Sequence, residues 1–146
     1  MSGPGVDVSS TALPHLRVLD IGGEVLGKDV LDTWAVPGRC MFNIYGPTEI
    51  TVVCCGTRVR PGDEITIGNS LPSYCNRVLD PESLQECLVG VRGVLYIGGV
   101  GLARGYLDDE EKTAARFVQV PGFGRMYCSG DVASRDEQGR LHYHGR

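Results

Sequence analysis

The chain has 146 residues, of which 42% are hydrophobic and 22% charged, and its formal net charge is −4. This composition is ordinary for a globular protein of one domain or two small subdomains and excludes a disordered chain. No basic stripe interleaved with aromatic residues is present, which disfavours nucleic-acid binding, and no apolar run is long enough to span a bilayer.

The first part of the chain predicts a leader followed by an α/β unit. Residues 1–14 are small and polar, without a basic and apolar signal region, and predict a flexible leader. The short apolar runs Leu16–Ile21 and Cys40–Tyr45 predict two buried strands. Between them, Val25–Ala35 carries apolar residues at helical spacing, and the dipeptide Pro37-Gly38 would end the helix. A strand, a helix and a strand in this order predict a crossover unit of a parallel sheet.

Beyond Tyr45 the helical period almost disappears, and short apolar runs bounded by turn residues predict strands. These runs are Thr51–Cys55, Arg77–Leu79, Val94–Ile97, Met126–Cys128, Asp131–Arg135 and Leu141–His144. The last two flank a turn at residues 136–139 and predict a hairpin. A short helix is predicted over Asp108–Phe117, with Asp108 as its N-cap.

The predicted fold class is therefore α/β, in two parts. Residues 15–60 form the strand-helix-strand unit, and residues 61–146 form a β-rich subdomain, either a small barrel or a folded sheet. The boundary is placed near Arg60–Asp63, where a proline and a glycine interrupt the pattern. The six cysteines show neither Cys-x-x-Cys spacing nor a histidine at zinc-ligand spacing. We expect them to be reduced and mostly buried, in a cytoplasmic protein.

The segment Asn43–Glu49 has the strongest chemical signal. A strand delivers a turn that presents an aromatic ring at Tyr45, a hydroxyl at Thr48 and a carboxylate at Glu49. The ring could stack on a flat ligand, and the two oxygen groups could hold a phosphate and its Mg²⁺. Ligands of open α/β sheets bind at the carboxyl ends of parallel strands, which is where this turn falls. An ordinary turn with a solvated glutamate fits the residues about equally well.

Three further segments carry weaker signals. Asp131, at the end of Tyr127–Asp131, could accept both hydroxyls of a ribose, although an isolated aspartate in a turn is commonly structural. The glycine pair Gly22-Gly23 before Glu24 permits a close approach of backbone to ligand. The glycines of Gly93–Tyr106 match neither G-x-G-x-x-G nor a P-loop, and we expect them to form structural turns.

Taken together, these segments resemble the adenylation domains of nonribosomal peptide synthetases, within the wider adenylate-forming family that includes acyl-CoA synthetases. The resemblance rests on Tyr45–Glu49, on Ile97–Gly99 followed by Gly101–Leu107, on Tyr127–Asp131, and on the final Gly145-Arg146. Their order and rough spacing match the core motifs of that family over about residues 15–146. The unbroken Leu-Ala-Arg-Gly-Tyr within the second motif favours the peptide-synthetase branch.

The resemblance implies a role for individual residues. Thr48 and Glu49 would be catalytic: Thr48 would contact the α-phosphate region and Glu49 would hold Mg²⁺. Tyr45 would stack on the adenine, and Asp131 would bind the ribose hydroxyls. The residues that would bind the nucleotide are Gly23, Glu24, Asn43, Tyr45, Gly46, Asp131 and Arg146. The residues that would line the substrate pocket are Asp20, Gly22, Ile44, Val52 and Val53.

The implied reaction activates an amino acid, or another carboxylic acid, with ATP to an acyl-adenylate. The acyl group then passes to the phosphopantetheine thiol of a peptidyl carrier domain. Neither the family's phosphate loop nor its catalytic lysine is found in the sequence, so we expect the chain alone to be inactive without the rest of the adenylation domain. Two alternatives stay open: a non-catalytic nucleotide-binding or interaction module, and an acyl-CoA synthetase-like ligase. Smaller departures are Val94 in place of the usual Glu and Ser129 in place of the usual Thr.

Overall fold

The computed structural model describes residues 10–146, which form two sheets and two short helices. The strands are β1 (Val18–Ile21), β2 (Cys40–Tyr45), β3 (Cys55–Val59), β4 (Asn69–Ser70), β5 (Tyr74–Leu79), β6 (Gly93–Gly99), β7 (Phe117–Val120), β8 (Gly124–Arg135) and β9 (Leu141–Gly145). The helices are α1 (Lys28–Trp34) and α2 (Glu110–Arg116), with 3-10 turns at Ser10–Ala12 and Thr48–Ile50. No helix in residues 10–146 is long and apolar enough to cross a membrane.

The predicted crossover unit is confirmed. β1 and β2 pair in parallel, with Val18 opposite Cys40, and α1 connects them. The helix begins three residues later than the apolar pattern suggested, because Gly27 at its N-cap has an extended backbone. The side chains buried between α1 and the sheet are Leu26, Leu31, Ala35, Met41 and Val59. β3 and β4 then add antiparallel strands, which gives the sheet order β1-β2-β3-β4.

The strand predicted over Thr51–Cys55 is wrong for most of its length. The backbone turns at Thr51 and Val52, which have left-handed φ angles of 62° and 72°, and β3 starts only at Cys55. The amide of Thr51 donates to the carbonyl of Thr48, which closes the 3-10 turn. Ile50 and Cys54 are nevertheless buried, so the apolar character of the run reflects core packing and not strand structure.

The second half of the chain is β-rich, as predicted. β5, β6, β8 and β7 pair in that order, and β9 also pairs with β8. Within residues 10–146, β5 is an outer strand, so this part of the β-rich subdomain forms a folded sheet whose edge at β5 is open. The two runs predicted before residue 136 form the single long strand β8, and the predicted hairpin with β9 is confirmed.

The two sheets pack on one shared core. Its buried members are Ile50, Cys54, Cys55, Ile67, Val78, Leu95, Ile97, Phe117, Tyr127, Ala133 and Leu141. Main-chain hydrogen bonds join the halves directly, since Ile67 N–H donates to the Leu141 carbonyl and Leu141 N–H donates to the Gly68 carbonyl, each at 2.9 Å. The first sheet continues through β4 to Ser70. The division of the chain near residue 60 stays a prediction.

Arg39 holds the segment that precedes β1. Its guanidinium donates to the carbonyl oxygens of Ser10, Leu13 and Leu16 at 3.2, 2.9 and 3.0 Å. These residues include the end of the predicted leader, which is therefore attached to the first sheet. Residues 1–9, the rest of that leader, lie outside the described residues.

The N-cap of α2 is Asp109 and not the predicted Asp108. Asp109 accepts a hydrogen bond from the backbone amide of Lys112 at 2.9 Å, whereas Asp108 has a left-handed φ of 52°. We expect Asp109→Ala to lower the free energy of unfolding by about 1 kcal/mol. Asp108→Gly should change it by less than about 0.5 kcal/mol, because glycine accepts a positive φ. Urea titrations of both variants measure this difference, and an equal loss in the two would contradict the assignment.

Asp136 organises the turn between β8 and β9. Its carboxylate accepts hydrogen bonds from the backbone amides of Gln138 and Arg140. It also accepts one from the Arg140 side chain at 2.7 Å and pairs with His142 at 3.1 Å. Burial opposes ionisation here, but the hydrogen bonds from His142 and Arg140 outweigh it and lower the pKa of Asp136 to about 2.

This pKa gives a pH-dependent prediction for stability. Because the folded pKa lies below the ordinary value of 3.8, the stabilisation is present above pH 3.8 and is lost as the pH falls towards about 2. Asp136→Asn should cost about 1.5 kcal/mol of unfolding free energy at neutral pH, and less as the pH falls. The control Glu137→Gln removes the same charge from an exposed position in the same turn. A loss in Asp136→Asn that stays constant from neutral pH to pH 2 would refute this account.

Candidate functional site

A cleft of about 590 Å³ opens where the two sheets meet. Its walls come from the loop after β1, the end of β2, the connection before β4, and strands β8 and β9. All seven residues that the resemblance assigns to a nucleotide line this cleft: Gly23, Glu24, Asn43, Tyr45, Gly46, Asp131 and Arg146. The fold therefore brings together, in one place, residues that are up to 123 positions apart in the chain.

The Asp131 carboxylate is the polar centre of the cleft. One oxygen accepts a hydrogen bond from the Tyr45 hydroxyl, and the other accepts from Arg146 Nε at 2.7 Å. The Asp131 side chain is only 6% exposed, whereas that of Arg146 is 71% exposed. A carboxylate offers about four acceptor positions, so two hydrogen bonds leave room for two donors from a ligand.

The backbone before Asp131 is bent to aim this carboxylate into the cleft. Gly130 lies in the middle of β8 and has a φ of +76°, a backbone angle that residues other than glycine rarely adopt. The Ser129 hydroxyl accepts from the Asp131 amide at 3.0 Å and donates to the Leu95 carbonyl at 2.7 Å. A threonine hydroxyl could make the same two bonds, so this departure from the family pattern preserves the local structure.

Aromatic rings form one wall of the cleft. The ring centroids of Tyr45 and Tyr143 lie 6.3 Å apart at an interplanar angle of 40°. Burial, reinforced by the hydrogen bond to Asp131, raises the pKa of Tyr45, so its hydroxyl stays protonated as a donor. Asn43 is buried at the cleft, and its amide nitrogen donates to the Thr66 carbonyl at 2.7 Å, which fixes the orientation of the amide group.

A second, smaller cleft of about 270 Å³ contains Glu49. Tyr106 donates a hydrogen bond to Glu49 Oε1 at 2.5 Å. Lys112, Arg116 and Arg146 line the same cleft, and Arg146 lines both clefts. Burial opposes ionisation of Glu49, but hydrogen bonds from Tyr106, from its own backbone amide and from Tyr127, together with the charge of Lys112, outweigh it, and the pKa of Glu49 lies below its ordinary value. The carboxylate is therefore an anion at neutral pH.

The Glu49 carboxylate suits a magnesium ion that arrives bound to a nucleotide better than one that is held by protein side chains alone. Within residues 10–146, no three His, Cys, Asp or Glu side chains form a group that could hold a metal ion. Mg²⁺ in phosphate-transfer sites is commonly held by one or two carboxylates together with phosphates of the substrate. A single carboxylate beside the main cleft matches that arrangement.

Thr48, at the start of the 3-10 turn, is exposed and lines neither cleft.

The residues assigned to a substrate pocket are more dispersed. Only Ile44 lines the main cleft. Gly22 lies against it, because a Cβ at Gly22 would be 2.7 Å from Ile44 Cγ1. Asp20 is exposed on β1, and Val52 is 69% exposed on the turn before β3. The backbone of Val52 and Val53 abuts Gly46, so these two residues adjoin the main cleft without lining it.

Several site residues were not found from the sequence. Tyr143 and Thr66 line the main cleft, and Tyr106 and Tyr127 line the smaller one. Tyr106 and Tyr127 lie within recognised motifs, which was the available signal. Tyr143 and Thr66 carry no local signal, because they reach the cleft through the pairing of β9 with β8 and through the connection before β4.

Comparison with known proteins gives consistent matches. The family model described as "AMP-binding enzyme" matches residues 2–107. The chain is 43% identical over 143 residues to "Novobiocin biosynthesis protein H" of Streptomyces niveus, covering 95% of this chain and 24% of that protein. It is 39% identical over 140 residues to "Delta-poly-L-ornithine synthetase" of Acinetobacter baumannii, covering 92% and 10%.

A solved structure supports the same grouping. The structure of PA1221, described as a protein of nonribosomal peptide synthesis with adenylation and carrier domains, superimposes with a TM-score of 0.87 at 35% identity. The match covers 96% of this chain and 30% of that one. The chain thus spans less than a third of each of these three proteins.

Proposed function

The chain belongs to the AMP-binding enzyme family, and on this premise we propose that its main cleft holds the adenosine of ATP in an adenylation domain of the nonribosomal-peptide-synthetase type. The observation that carries the proposal is the convergence on this cleft of seven residues that the family motifs assign to the nucleotide. The whole domain would activate an amino acid or related carboxylic acid. We also place it in the cytoplasm, in the biosynthesis of a secondary metabolite.

The geometry suits an adenosine. Asp131 has acceptor positions left for the 2′- and 3′-hydroxyls of the ribose, and Arg146 and Tyr45 fix its orientation. The rings of Tyr45 and Tyr143 offer flat surfaces on which an adenine can stack. The amide nitrogen of Asn43 is used by Thr66, so its oxygen would be the group that accepts from the adenine amino group.

The proposed reaction joins the substrate carboxylate to the α-phosphorus of ATP. A carboxylate oxygen forms a new P–O bond, the bond to the bridging oxygen breaks, and pyrophosphate leaves with the electron pair. Thr48 would hydrogen-bond near the α-phosphate, and Glu49 would hold nucleotide-bound Mg²⁺, which would offset charge that develops on the phosphoryl oxygens. Positioning of the two substrates supplies the rest, without a covalent protein nucleophile.

Other parts of the synthetase complete the proposed cycle. A carrier-domain phosphopantetheine thiol would attack the acyl carbon, which forms a thioester and releases AMP, with loss of the thiol proton. The similar PA1221 protein is described as containing both adenylation and carrier domains, which supports such a partner here. The proposed pocket for the carboxylic-acid substrate is formed by Asp20, Gly22, Ile44, Val52 and Val53. The chemical class of that substrate is to be measured.

The test is a chimera in which this chain replaces the matching stretch of the Streptomyces niveus relative. Exchange of labelled pyrophosphate into ATP that depends on a free amino acid is the expected result. Exchange with fatty acids alone would favour the acyl-CoA synthetase-like alternative. A folded chimera that binds no ATP would contradict the proposal and favour the non-catalytic module. The parent relative, assayed in parallel, controls for the activity of the flanking regions.

A further inference from the structure

The segment 103–106 contacts Glu49 through its main chain and a side chain. The backbone amide of Ala103 donates to the Glu49 carbonyl oxygen at 2.8 Å. Three residues later, the Tyr106 hydroxyl donates to the Glu49 carboxylate at 2.5 Å. These two contacts fix both the backbone and the side chain of Glu49 from a segment more than fifty residues away in the chain.

Two further hydrogen bonds fix the turn on which Glu49 sits. The Thr51 hydroxyl donates to the Gly101 carbonyl at 2.8 Å, and the Tyr74 hydroxyl donates to the Ile50 carbonyl at 2.9 Å. The turn is thus held from both the strand β5 and the loop after β6. What remains variable is the direction of the Glu49 side chain. The Tyr106 hydroxyl makes the short hydrogen bond to its carboxylate, and Tyr127 and Lys112 act on the same carboxylate more weakly.

Tyr106 is itself held in place by its neighbours. Its backbone amide donates to the Thr113 hydroxyl of α2 at 2.8 Å. The Lys112 ammonium lies 4.1 Å from the centroid of its ring, and the Phe117 ring packs against it edge-on at 5.7 Å. Arg125 anchors the preceding backbone by donating to the Ala103 and Arg104 carbonyls at 2.8 and 2.7 Å. A hydroxyl mounted this rigidly can fix the direction of a carboxylate.

The hydrogen bond leaves Glu49 able to bind a cation. One oxygen accepts from Tyr106, and the carboxylate retains acceptor positions on both oxygens. Carboxylates that hold metal ions are themselves commonly hydrogen-bonded by outer residues, and loss of such a partner weakens metal binding. The contact therefore resembles the support that metal-binding carboxylates receive in other sites.

We propose that Tyr106 is a positioning residue, which holds the Glu49 carboxylate in the orientation that binds the magnesium of Mg–ATP. This inference rests on the proposed function of the main cleft and names a residue that supports it. It also gives a physical link between two motifs of the chain, since Gly101–Leu107 supplies the hydroxyl that orients the carboxylate of Tyr45–Glu49.

The test compares ATP binding with and without metal in three forms of the full 146-residue chain. Tyr106→Phe removes the hydroxyl and keeps the ring that packs on Phe117 and Lys112. Tyr96→Phe is the matched control, because Tyr96 is a buried tyrosine in a separate core cluster with Leu79 and Met126. Calorimetric titration gives the dissociation constant for ATP in excess Mg²⁺ and in excess chelator, and the ratio measures the metal contribution.

In Tyr106→Phe we expect the metal contribution to fall about tenfold. ATP affinity without metal should stay within about twofold of the wild-type chain, since the adenosine cleft is untouched. An unchanged metal contribution in a folded Tyr106→Phe would overturn this proposal and leave the proposed function intact. Absence of ATP binding in the folded wild-type chain would overturn the proposed function instead.

A second measurement needs neither nucleotide nor metal. Three-bond NMR couplings report whether the Glu49 side chain occupies one rotamer or several. We expect a single rotamer in the wild-type chain and in Tyr96→Phe, and averaging in Tyr106→Phe. Averaged couplings in the wild-type chain would overturn the positioning role, even if Tyr106→Phe proved unable to fold.

Discussion

Replacement of Asp131 by alanine is expected to weaken ATP binding by the chain about a hundredfold. Each hydrogen bond to a charged group contributes roughly 1.5–3 kcal/mol, and about 1.4 kcal/mol corresponds to a tenfold change, so the loss of two ribose contacts at the lower end of that range predicts about a hundredfold. The variant also removes the acceptor of Tyr45 and of Arg146. Calorimetry on the wild-type and variant chains measures the change directly.

Asp20→Ala is the matched control for this prediction. It removes an aspartate from β1, in the other sheet, that is exposed and does not line the cleft. Its ATP affinity should stay within about twofold of the wild-type value. If Asp131→Ala, shown by its amide spectrum to be folded, bound ATP as tightly as Asp20→Ala does, the ribose assignment would be refuted.

The second large effect is expected at Gly46, where the turn after β2 leaves no space for a side chain. A Cβ there would overlap the Val52 carbonyl oxygen and lie 2.8 Å from Val53 Cα. Both obstacles are backbone atoms, which cannot move as a flexible side chain would. Gly46→Ala should therefore lower the free energy of unfolding by about 3 kcal/mol, near the upper end for overpacking. Urea unfolding of the purified variant provides the measurement.

Gly98→Ala separates this steric effect from the general effect of replacing a glycine. Gly98 is buried in β6, and a Cβ there would meet its nearest neighbours at 3.5 Å, an ordinary contact distance. Neither glycine has a left-handed backbone, so the loss of conformational freedom in the unfolded chain contributes about equally to both results and cancels in the comparison. Gly98→Ala should cost less than about 1 kcal/mol. Equal losses at the two positions would show that the turn tolerates an added methyl group.

The fold could be predicted where local pattern and burial agree. The β1–α1–β2 unit has apolar residues at the period of each element and turn residues between them, so its sequence reports its structure. The turn at Thr51 and Val52 could not be predicted in this way. Its left-handed backbone is held by contacts from Gly101 and Tyr74, which lie far away in the chain. A local reading finds only an apolar, β-branched run there.

Only the site residues that lie within recognised motifs could be predicted from the sequence. Read alone, Asp131 looks like a turn aspartate, and only the fold places it against Tyr45 and Arg146. The N-cap of α2 shows the same limit on a smaller scale. Asp108 and Asp109 are equivalent as residue types, and the backbone angles decide which one caps the helix.

The most direct test of the adenosine cleft is an amide NMR titration of the 146-residue chain with Mg–ATP. We expect chemical-shift changes concentrated at residues 43–47, at Asp131 and at Tyr143, with smaller changes around Glu49 and Tyr106. A well-dispersed spectrum in which these amides do not shift at millimolar Mg–ATP would contradict this assignment, because the chain would then be folded and yet bind no nucleotide at the cleft lined by Asp131, Tyr45 and Tyr143.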